Sequence, residues 1–371
     1  VLLFIVFLFS FCRERGAEWK GTIEEVDGIK VVVNPSKPLY GQLIFDLEED
    51  LSIGNEEDDN YIFYRIRDIQ VDNEGNIYVL ESGNVRVQKF DRNGNYVCTI
   101  GRKGQGPGEL QRPSQIILNE IERTIGVKED RKLIVFDKNG KFLDKDVVFE
   151  HFFYDLALDS IGSLWAIEFD QEGEDEVTAD LFKALVRLNH PGQMEKKVVR
   201  FPFDLYRERW KEGVFLRSTG FEYDLFFSPV DEQNMIYGYS KEYEMNVIDL
   251  AGNARLRIRK EEPYRSFAPE ERGKSKKVRL PEYKPYFFAL FSDSAGRIYA
   301  QRNNARKADP TEKEFDIFSK DGYYLYKTIC QHTPYVIKDG YYYTRIQNDD
   351  TGEVFVKRFK IKNWEQIKKG I

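Results

Sequence analysis

The chain has 371 residues, 41% of them hydrophobic, 32% charged and 15% aromatic, with 22 Tyr and 28 Phe but only 3 Cys and 3 His. This aromatic content excludes a disordered chain, and 27 Gly with 13 Pro excludes a collagen-like one. Lys plus Arg total 56 against 63 Asp plus Glu, for a net charge of -7, so neither nucleic acid nor an anionic membrane surface is expected as a partner.

Residues Val1 to Phe11 read VLLFIVFLFSF and stop at Cys12-Arg13-Glu14-Arg15. Such a run is shorter than the roughly 20 apolar residues a membrane span requires, and has the length of a signal-peptide core. The chain begins with Val and shows no basic segment ahead of the run, so either a start codon is read literally or a few residues precede it. A Cys at the end of this run resembles the lipobox of bacterial lipoproteins, although Phe11 stands where that pattern has a small residue. Lipidation of Cys12, simple secretion and an unprocessed structural Cys are the three readings; lipidation is carried forward. Cys98 and Cys330 lie in strand-like runs and are expected to be buried free thiols.

The rest of the chain repeats. Ile69 to Val79 is an apolar alternation, the turn Asp72-Asn-Glu-Gly75, and a second alternation; Val85 to Val97 repeats the pattern around Asp91-Arg-Asn-Gly94. Asp bonds back to the turn backbone and Gly supplies positive φ, so each unit reads as strand, tight turn, strand. Four such strands in about 40 residues make one propeller blade. The first turn returns at Asp159-Ser-Ile-Gly162 and Asp293-Ser-Ala-Gly296, with degenerate forms at Asp231 to Asn234 and Lys338 to Gly340. The second returns at Asp137 to Gly140, Asn189 to Gly192, Asp249 to Gly252 and Ser319 to Gly322. Spacing between second turns grows from 46 to 52, 60 and 70 residues, so the later blades carry insertions, around 171–180 and 261–285.

Residues 335 to 361 hold three strand-like runs and so lack a fourth. The segment 39–54, with Leu43 to Leu47 and Leu51 to Gly54, is expected to supply it, pairing the two ends of the chain and removing an open edge. The expected fold is all-β: a six-bladed β-propeller of four-stranded antiparallel blades occupying 39–371, behind a signal segment at 1–12 and a spacer at 13–38.

With Asp72-x-x-Gly75-Asn-Ile-Tyr78-Val79 and Phe90-Asp91-x-x-Gly94 before it, the run Ile100-Gly101-Arg-Lys-Gly104-Gln-Gly106-Pro107-Gly108-Glu109-Leu110 resembles an NHL-repeat blade. More broadly the chain is similar to six-bladed β-propeller lipoproteins of unknown function from anaerobic and gut bacteria. Those also carry a Trp-Lys-Gly-Thr-Ile-like stretch, here Trp19 to Ile23, and a Val-rich stretch before Asn-Pro, here Val31 to Pro35. The resemblance spans about 20–361, is specific in the first blade and its exit loop, and implies fold and compartment but no reaction.

Chemistry-bearing constellations are few. The glycines at 101 to 108 could cradle phosphate, but no helix follows, and a connector between blades is the better reading. His151, His190 and His332 have no zinc-ligand spacing, and the acidic runs at 56–59 and 172–176 lack the alternation of a calcium loop. The basic run 272–279, near Tyr264, Tyr283 and Tyr286, reads as a solvated insertion. What remains is one rim, where residues just before or at the start of the channel-lining strands are rich in Tyr and Arg. The ligand-binding candidates are Tyr64, Arg65, Arg67, Arg112, Tyr154, Tyr223, Tyr286 and Tyr335, residue types that present flat apolar area with a polar edge.

The expected protein is an exported, lipid-anchored monomer on the periplasmic or outer face, held to the membrane through Cys12 alone. It binds or scaffolds a protein, peptide or carbohydrate ligand, with no catalytic residues, cofactor or metal assigned. The alternative is a metal-dependent hydrolase or lyase centred on the channel, which requires three or more inward Asp, Glu, Asn or His ligands.

Overall fold

The computed structural model describes residues 18–54, 57–173, 179–189, 192–210, 213–218, 220–268, 280–303 and 312–371, with the backbone alone for 206–210 and 213–217. Six antiparallel sheets form the ring. Blade 1 is Ile66–Val71, Ile77–Glu81, Arg86–Phe90 and Tyr96–Ile100, from the channel outward, and blade 2 is Pro113–Asn119, Thr124–Glu129, Lys132–Asp137 and Val147–Val148. Blade 3 is Phe153–Leu158, Leu164–Glu172, Asp180–Leu188 and Met194–Pro202; blade 4 begins with Leu225–Pro229, Asn234–Tyr239, Glu244–Asp249 and Ala254–Lys260. Blade 5 is Phe287–Ser292, Ile298–Arg302, Lys313–Phe318 and Tyr324–Cys330. Blade 6 has Pro334–Lys338, Tyr341–Gln347 and Val354–Ile361.

Its missing fourth strand comes from Leu47–Ile53, which pairs antiparallel to Val354–Ile361 with Ile53 opposite Val356 and Leu47 opposite Ile361. This is the closure expected from the sequence. Ile53 is buried and joins Val356, Phe63, Ile66 and Phe90 in one cluster, so the strand ties blade 6 to blade 1. Charges reinforce it: Arg358 bonds both oxygens of Asp50 at 3.0 Å, and Lys357 reaches Glu49 at 2.7 Å.

The stretch read as a spacer does more than space. Thr22–Val26 and Ile29–Asn34 form a hairpin whose second strand runs parallel to Ala254–Lys260, extending blade 4 to six strands. Val31 and Val32 are fully buried there. Asn34 locks the hairpin: its amide donates to the carbonyls of Gly322 (2.7 Å) and Arg259 (3.1 Å), and its Oδ1 accepts from Tyr324 N (2.8 Å) and Trp19 Nε1 (3.1 Å). Gln42–Leu43 then adds a short parallel strand to blade 5.

The Asp turns do two jobs. In Asp72, Asp159 and Asp293, Oδ1 accepts backbone N–H groups of the turn, as from Asn76 at 2.8 Å and Ser163 at 2.8 Å. The other oxygen takes a buried aromatic six residues on: Tyr78 OH at 3.0 Å, Trp165 Nε1 at 2.9 Å and Tyr299 OH at 2.8 Å. The polar tip of each large ring is thereby satisfied inside the ring of blades, where an unpaired donor would be costly. Gly75, Gly162 and Gly296 sit at φ between 76° and 85°, the left-handed geometry that closes these turns. Side chains of adjacent blades interdigitate; Tyr78, Leu80, Val87 and Ile100 of blade 1 pack on Ile116, Ile125, Val127 and Phe136 of blade 2. Each fully buried side chain of this kind contributes roughly 1.5–3 kcal/mol. Cys98 is half-buried and Cys330 buried, and neither is in a disulfide.

Candidate functional site

Inner strands wall the channel, and the register shows which residues face it. Five of the six slip near their start: Ile66 and Asp68 oppose consecutive residues Glu81 and Leu80, leaving Arg67 extra, and the same occurs at Ser114, Phe288 and Tyr335. In blade 3, Tyr154 and Asp155 together occupy the place of one residue. Blade 4 pairs without a slip. A bulge adds one residue and re-aims the side chain, here at the mouth where the strands begin. Directly below, the aligned positions are Asp68, Gln115, Asp155, Phe226, Ala289 and Val336. In this layer blades 1 to 3 carry polar residues and blades 4 to 6 apolar ones, while Ser228 of blade 4 and Lys338 of blade 6 also line the cavity.

The polar part of this layer is wired between blades. Asp68 accepts from Ile116 N of blade 2 at 2.8 Å and from Gln70 Nε2 at 3.1 Å. Gln115 pairs in both directions with Leu156 of blade 3, donating to its carbonyl at 2.9 Å and accepting from its N–H at 3.0 Å. Asp155, next in the series, accepts no hydrogen bond from a described residue and lines the channel cavity, whose volume is about 660 Å³. Asp224 is spent on Lys183, whose Nζ lies 2.7 and 2.9 Å from its two oxygens and sits between the rings of Tyr154 (4.4 Å) and Phe203 (4.1 Å).

Enclosure in the ring shifts the titration of these groups. Asp68 is pushed up to about 6, chiefly by burial and also by repulsion from Asp155, against the hydrogen bonds from Ile116 and Gln70. Burial likewise raises Asp155; Asp224 adds to the rise, while Lys183 and Lys128 oppose it. Lys128 is buried, 5.2 Å from the ring centre of Phe152, and burial lowers it, with Asp155 and Asp130 pulling the other way. Tyr335 is raised by burial and by Asp68, against Arg345 and Arg67. Acids, bases and phenols thus sense one another across the mouth.

Of the eight candidates drawn from sequence, three occupy bulges of the inner strands at the mouth: Arg67, Tyr154 and Tyr335. The other five do not join them. Tyr64 is 67% exposed, outside the channel wall, and Arg112 pairs with Asp130 at 2.7 Å on the surface. The N–H of Arg65 is held by Glu81. Tyr223 is engaged by the insertion between blades 4 and 5, its OH donating to Tyr283 O at 3.0 Å and accepting from Tyr283 N at 3.2 Å. Tyr286 is buried between blades, its ring tilted against that of Tyr243 at 5.4 Å and its OH donating to Glu262 O. Because it faces a neighbouring blade, Tyr286 belongs to the core.

Sequence reasoning did not find Asp68, Gln115, Asp155, Lys128 or Lys183. It also passed over buried glutamates at the mouth end of the second strands. Glu81 accepts from the N–H of Arg65, Gly83 and Asn84, and Glu129 from those of Gln111 and Arg112, fixing the loops that lead into the channel. The signal was there: a buried acidic residue follows the apolar run of three successive second strands, ending the strand at Glu81 and Glu129 and lying within it at Glu168.

In the glycine-rich connector, Glu109 folds back so that its carboxylate accepts from Gly106 N at 2.9 Å and pairs with Arg102 at 2.9 Å, filling the cradle from within. Among the described residues no group of three or more His, Cys, Asp or Glu is placed to hold a metal ion, and no helix is long and apolar enough to cross a membrane. The signal segment, Cys12, His190, most of the 172–176 acidic run and the 272–279 basic run lie outside the described residues.

Fold and channel together define a six-bladed β-propeller. Residues 54–159, blade 1 through the start of blade 3, match the family model DUF5128, described as 6-bladed beta-propeller. Among solved structures, a Bacteroides fragilis protein described as a candidate exported protein aligns over 90% of this chain and 99% of its own, at 11% identity and a TM-score of 0.52. A member of the duf4221 family from Bacteroides vulgatus aligns over 86% and 99%, at 12% identity and a TM-score of 0.50. Virginiamycin B lyase from Staphylococcus aureus aligns over 85% and 99%, at 9% identity and a TM-score of 0.45, too low to carry an argument. Identities at this level speak for the fold alone. No curated protein matches the chain.

Proposed function

We propose that the protein is an exported, lipid-anchored binding module that receives its ligand at the channel mouth bounded by Arg67, Tyr154 and Tyr335. The observation that carries this is a channel cavity of about 660 Å³ lined by both polar groups, Gln70, Gln115, Asp155 and Lys338, and apolar ones, Phe226, Phe288 and Ala289. Small-molecule sites span ~300–1,000 Å³ and combine apolar walls with a few convergent polar groups. Anchoring at Cys12 is supported by the apolar run that precedes it.

Ligand-observed NMR with a mixed library of sugars, short peptides and small metabolites tests the site. Binders should lose their signal with a Tyr154→Ala/Tyr335→Ala variant that melts as the wild type does; binders indifferent to that variant would place the site elsewhere. Anchoring is tested by Cys12→Ser, which should move the protein from the membrane to the soluble fraction and change its processed mass. Unchanged fractionation would end the lipid-anchor reading.

A further inference from the structure

Three charged side chains line the channel cavity: Glu120, Asp155 and Lys338. Glu120 is taken by Lys138, whose Nζ lies 2.9 Å away. The other two are of opposite sign and line the same space, yet neither forms an ion pair among the described residues. Asp155 lies on the inner strand of blade 3 and Lys338 on that of blade 6, and in a ring of six these blades stand opposite each other. Asp155 is exposed to the channel. The lysines that act on it are held elsewhere, Lys183 by Asp224 at 2.7 Å and Lys128 beside Ser114 Oγ at 3.5 Å. Lys338 reaches from blade 6 to blade 1, donating to Val71 O at 3.1 Å and Asn73 Oδ1 at 2.8 Å. An ammonium has three donors, so one N–H of Lys338 is left over.

Depth separates the two charges as well. Val336 shares the layer of Asp155, and Lys338 follows two residues further along its strand, roughly 7 Å deeper at about 3.3 Å per residue. A free amino acid carries its ammonium and carboxylate on one carbon and cannot bridge that gap. An extended peptide covers ~3.3–3.6 Å per residue, so about two to four residues reach across. The intervening wall suits such a chain. Phe226, Phe288 and Leu290 offer apolar area to side chains, and Gln70, whose Nε2 donates to Asp68, keeps Oε1 to accept a backbone N–H.

Resting on the binding-mouth reading above, we infer that the channel takes a short peptide with both ends free, its N-terminal ammonium at Asp155 and its C-terminal carboxylate at Lys338. Each end then makes a charge-assisted hydrogen bond, the stronger kind. A peptide entering the other way round would set like charges together at both ends. An amine without a carboxylate, or the reverse, would meet only one of the two groups.

The experiment is ligand-observed NMR on the full chain with a pool of free-ended tripeptides, followed by calorimetry on each binder and on its N-acetylated and C-amidated forms. Free tripeptides should bind, and either cap should weaken them about tenfold or more, the scale of a hydrogen bond to a charged group. In Asp155→Asn the N-acetyl cap should cost less than about threefold while the C-amide keeps its full effect; in Lys338→Met the pattern should reverse. Asp155 accepts nothing from the described protein, so Asp155→Asn should melt as the wild type does. If Lys338→Met unfolds for want of its bond to Val71, C-amidation still tests that end on the unaltered chain. The inference is overturned if no tripeptide binds, if capped tripeptides bind as well as free ones, or if both cap effects survive in Asp155→Asn. Ligands without an amino group that depend on Tyr154 and Tyr335, in a chain that binds no tripeptide, would overturn this inference while leaving the binding-mouth reading intact. Tripeptides that follow the cap pattern but ignore Tyr154→Ala/Tyr335→Ala would uphold the peptide site and overturn the mouth as bounded above.

Discussion

Closure of the ring by Leu47–Ile53 can be tested with a single side chain. Ile53 is 1% exposed, pairs with Val356 and packs on blade 1 through Phe63 and Ile66. Ile53→Ala removes three carbons at ~0.8 kcal/mol each, about 2.4 kcal/mol, before any cavity is counted. Partial collapse of the void between blades 6 and 1 brings the expected loss to about 3–4 kcal/mol. The control is Ile44→Ala in the same N-terminal segment; Ile44 is 75% exposed, so that change should stay within about 0.5 kcal/mol. Equilibrium unfolding in guanidinium, followed by the fluorescence of the four Trp, reads both. A loss below about 1 kcal/mol, or one equal to that of Ile44→Ala, would mean that the N-terminal strand decorates a ring that closes without it.

Asn34→Ala should destabilise by about 2–4 kcal/mol in the same assay, because it strands the buried Gly322 carbonyl and Tyr324 N–H together; a loss under 1 kcal/mol would show the hairpin to be loosely held. For Asp68 the sign follows from a carboxyl raised from 3.8 to about 6 in the folded chain. The folded state then holds its proton more tightly than the unfolded one, so this group's contribution is fully present below about 3.8 and is lost as pH rises to about 6. Asp68→Asn keeps an oxygen for Ile116 N and cannot ionise, so its stability relative to wild type should improve between pH 4 and pH 7. A difference that is flat across that window would refute the shift, as would a carboxyl NMR titration with a midpoint near 4.

The blades were legible because their turns are local. Asp72 to Gly75 and Asp91 to Gly94 encode geometry within four residues, and the shortage of strands after Tyr335 pointed to the closing partner at the other end of the chain. The hairpin at 22–34 was missed for the opposite reason. Its turn, Asp27-Gly28, is plain, but its value lies in a parallel pairing with Ala254–Lys260, more than two hundred residues away, which no local pattern reports. The mouth was half legible. Tyr and Arg before the inner strands marked one end of the channel, and Arg67, Tyr154 and Tyr335 fall at bulges there. Alternation alone does not say which face of an inner strand looks into the channel, so Asp68, Gln115 and Asp155 read as ordinary polar positions. By the same ambiguity Tyr286, a rim candidate, is buried in the core between blades.

The N-terminal segment, laid in turn along the outer edges of blades 4, 5 and 6, sets a schedule for synthesis. Its strand Leu47–Ile53 is made early and has no antiparallel partner until Val354–Ile361 exists, some three hundred residues later. At ribosomal rates of roughly 5–20 residues per second, that is a wait of about 15–60 seconds with a strand edge exposed. Glu48, Glu49 and Asp50 lie in that strand, and like charges of this kind discourage it from pairing with another nascent copy in the interval. The acids that later meet Lys357 and Arg358 would first serve to keep the strand alone.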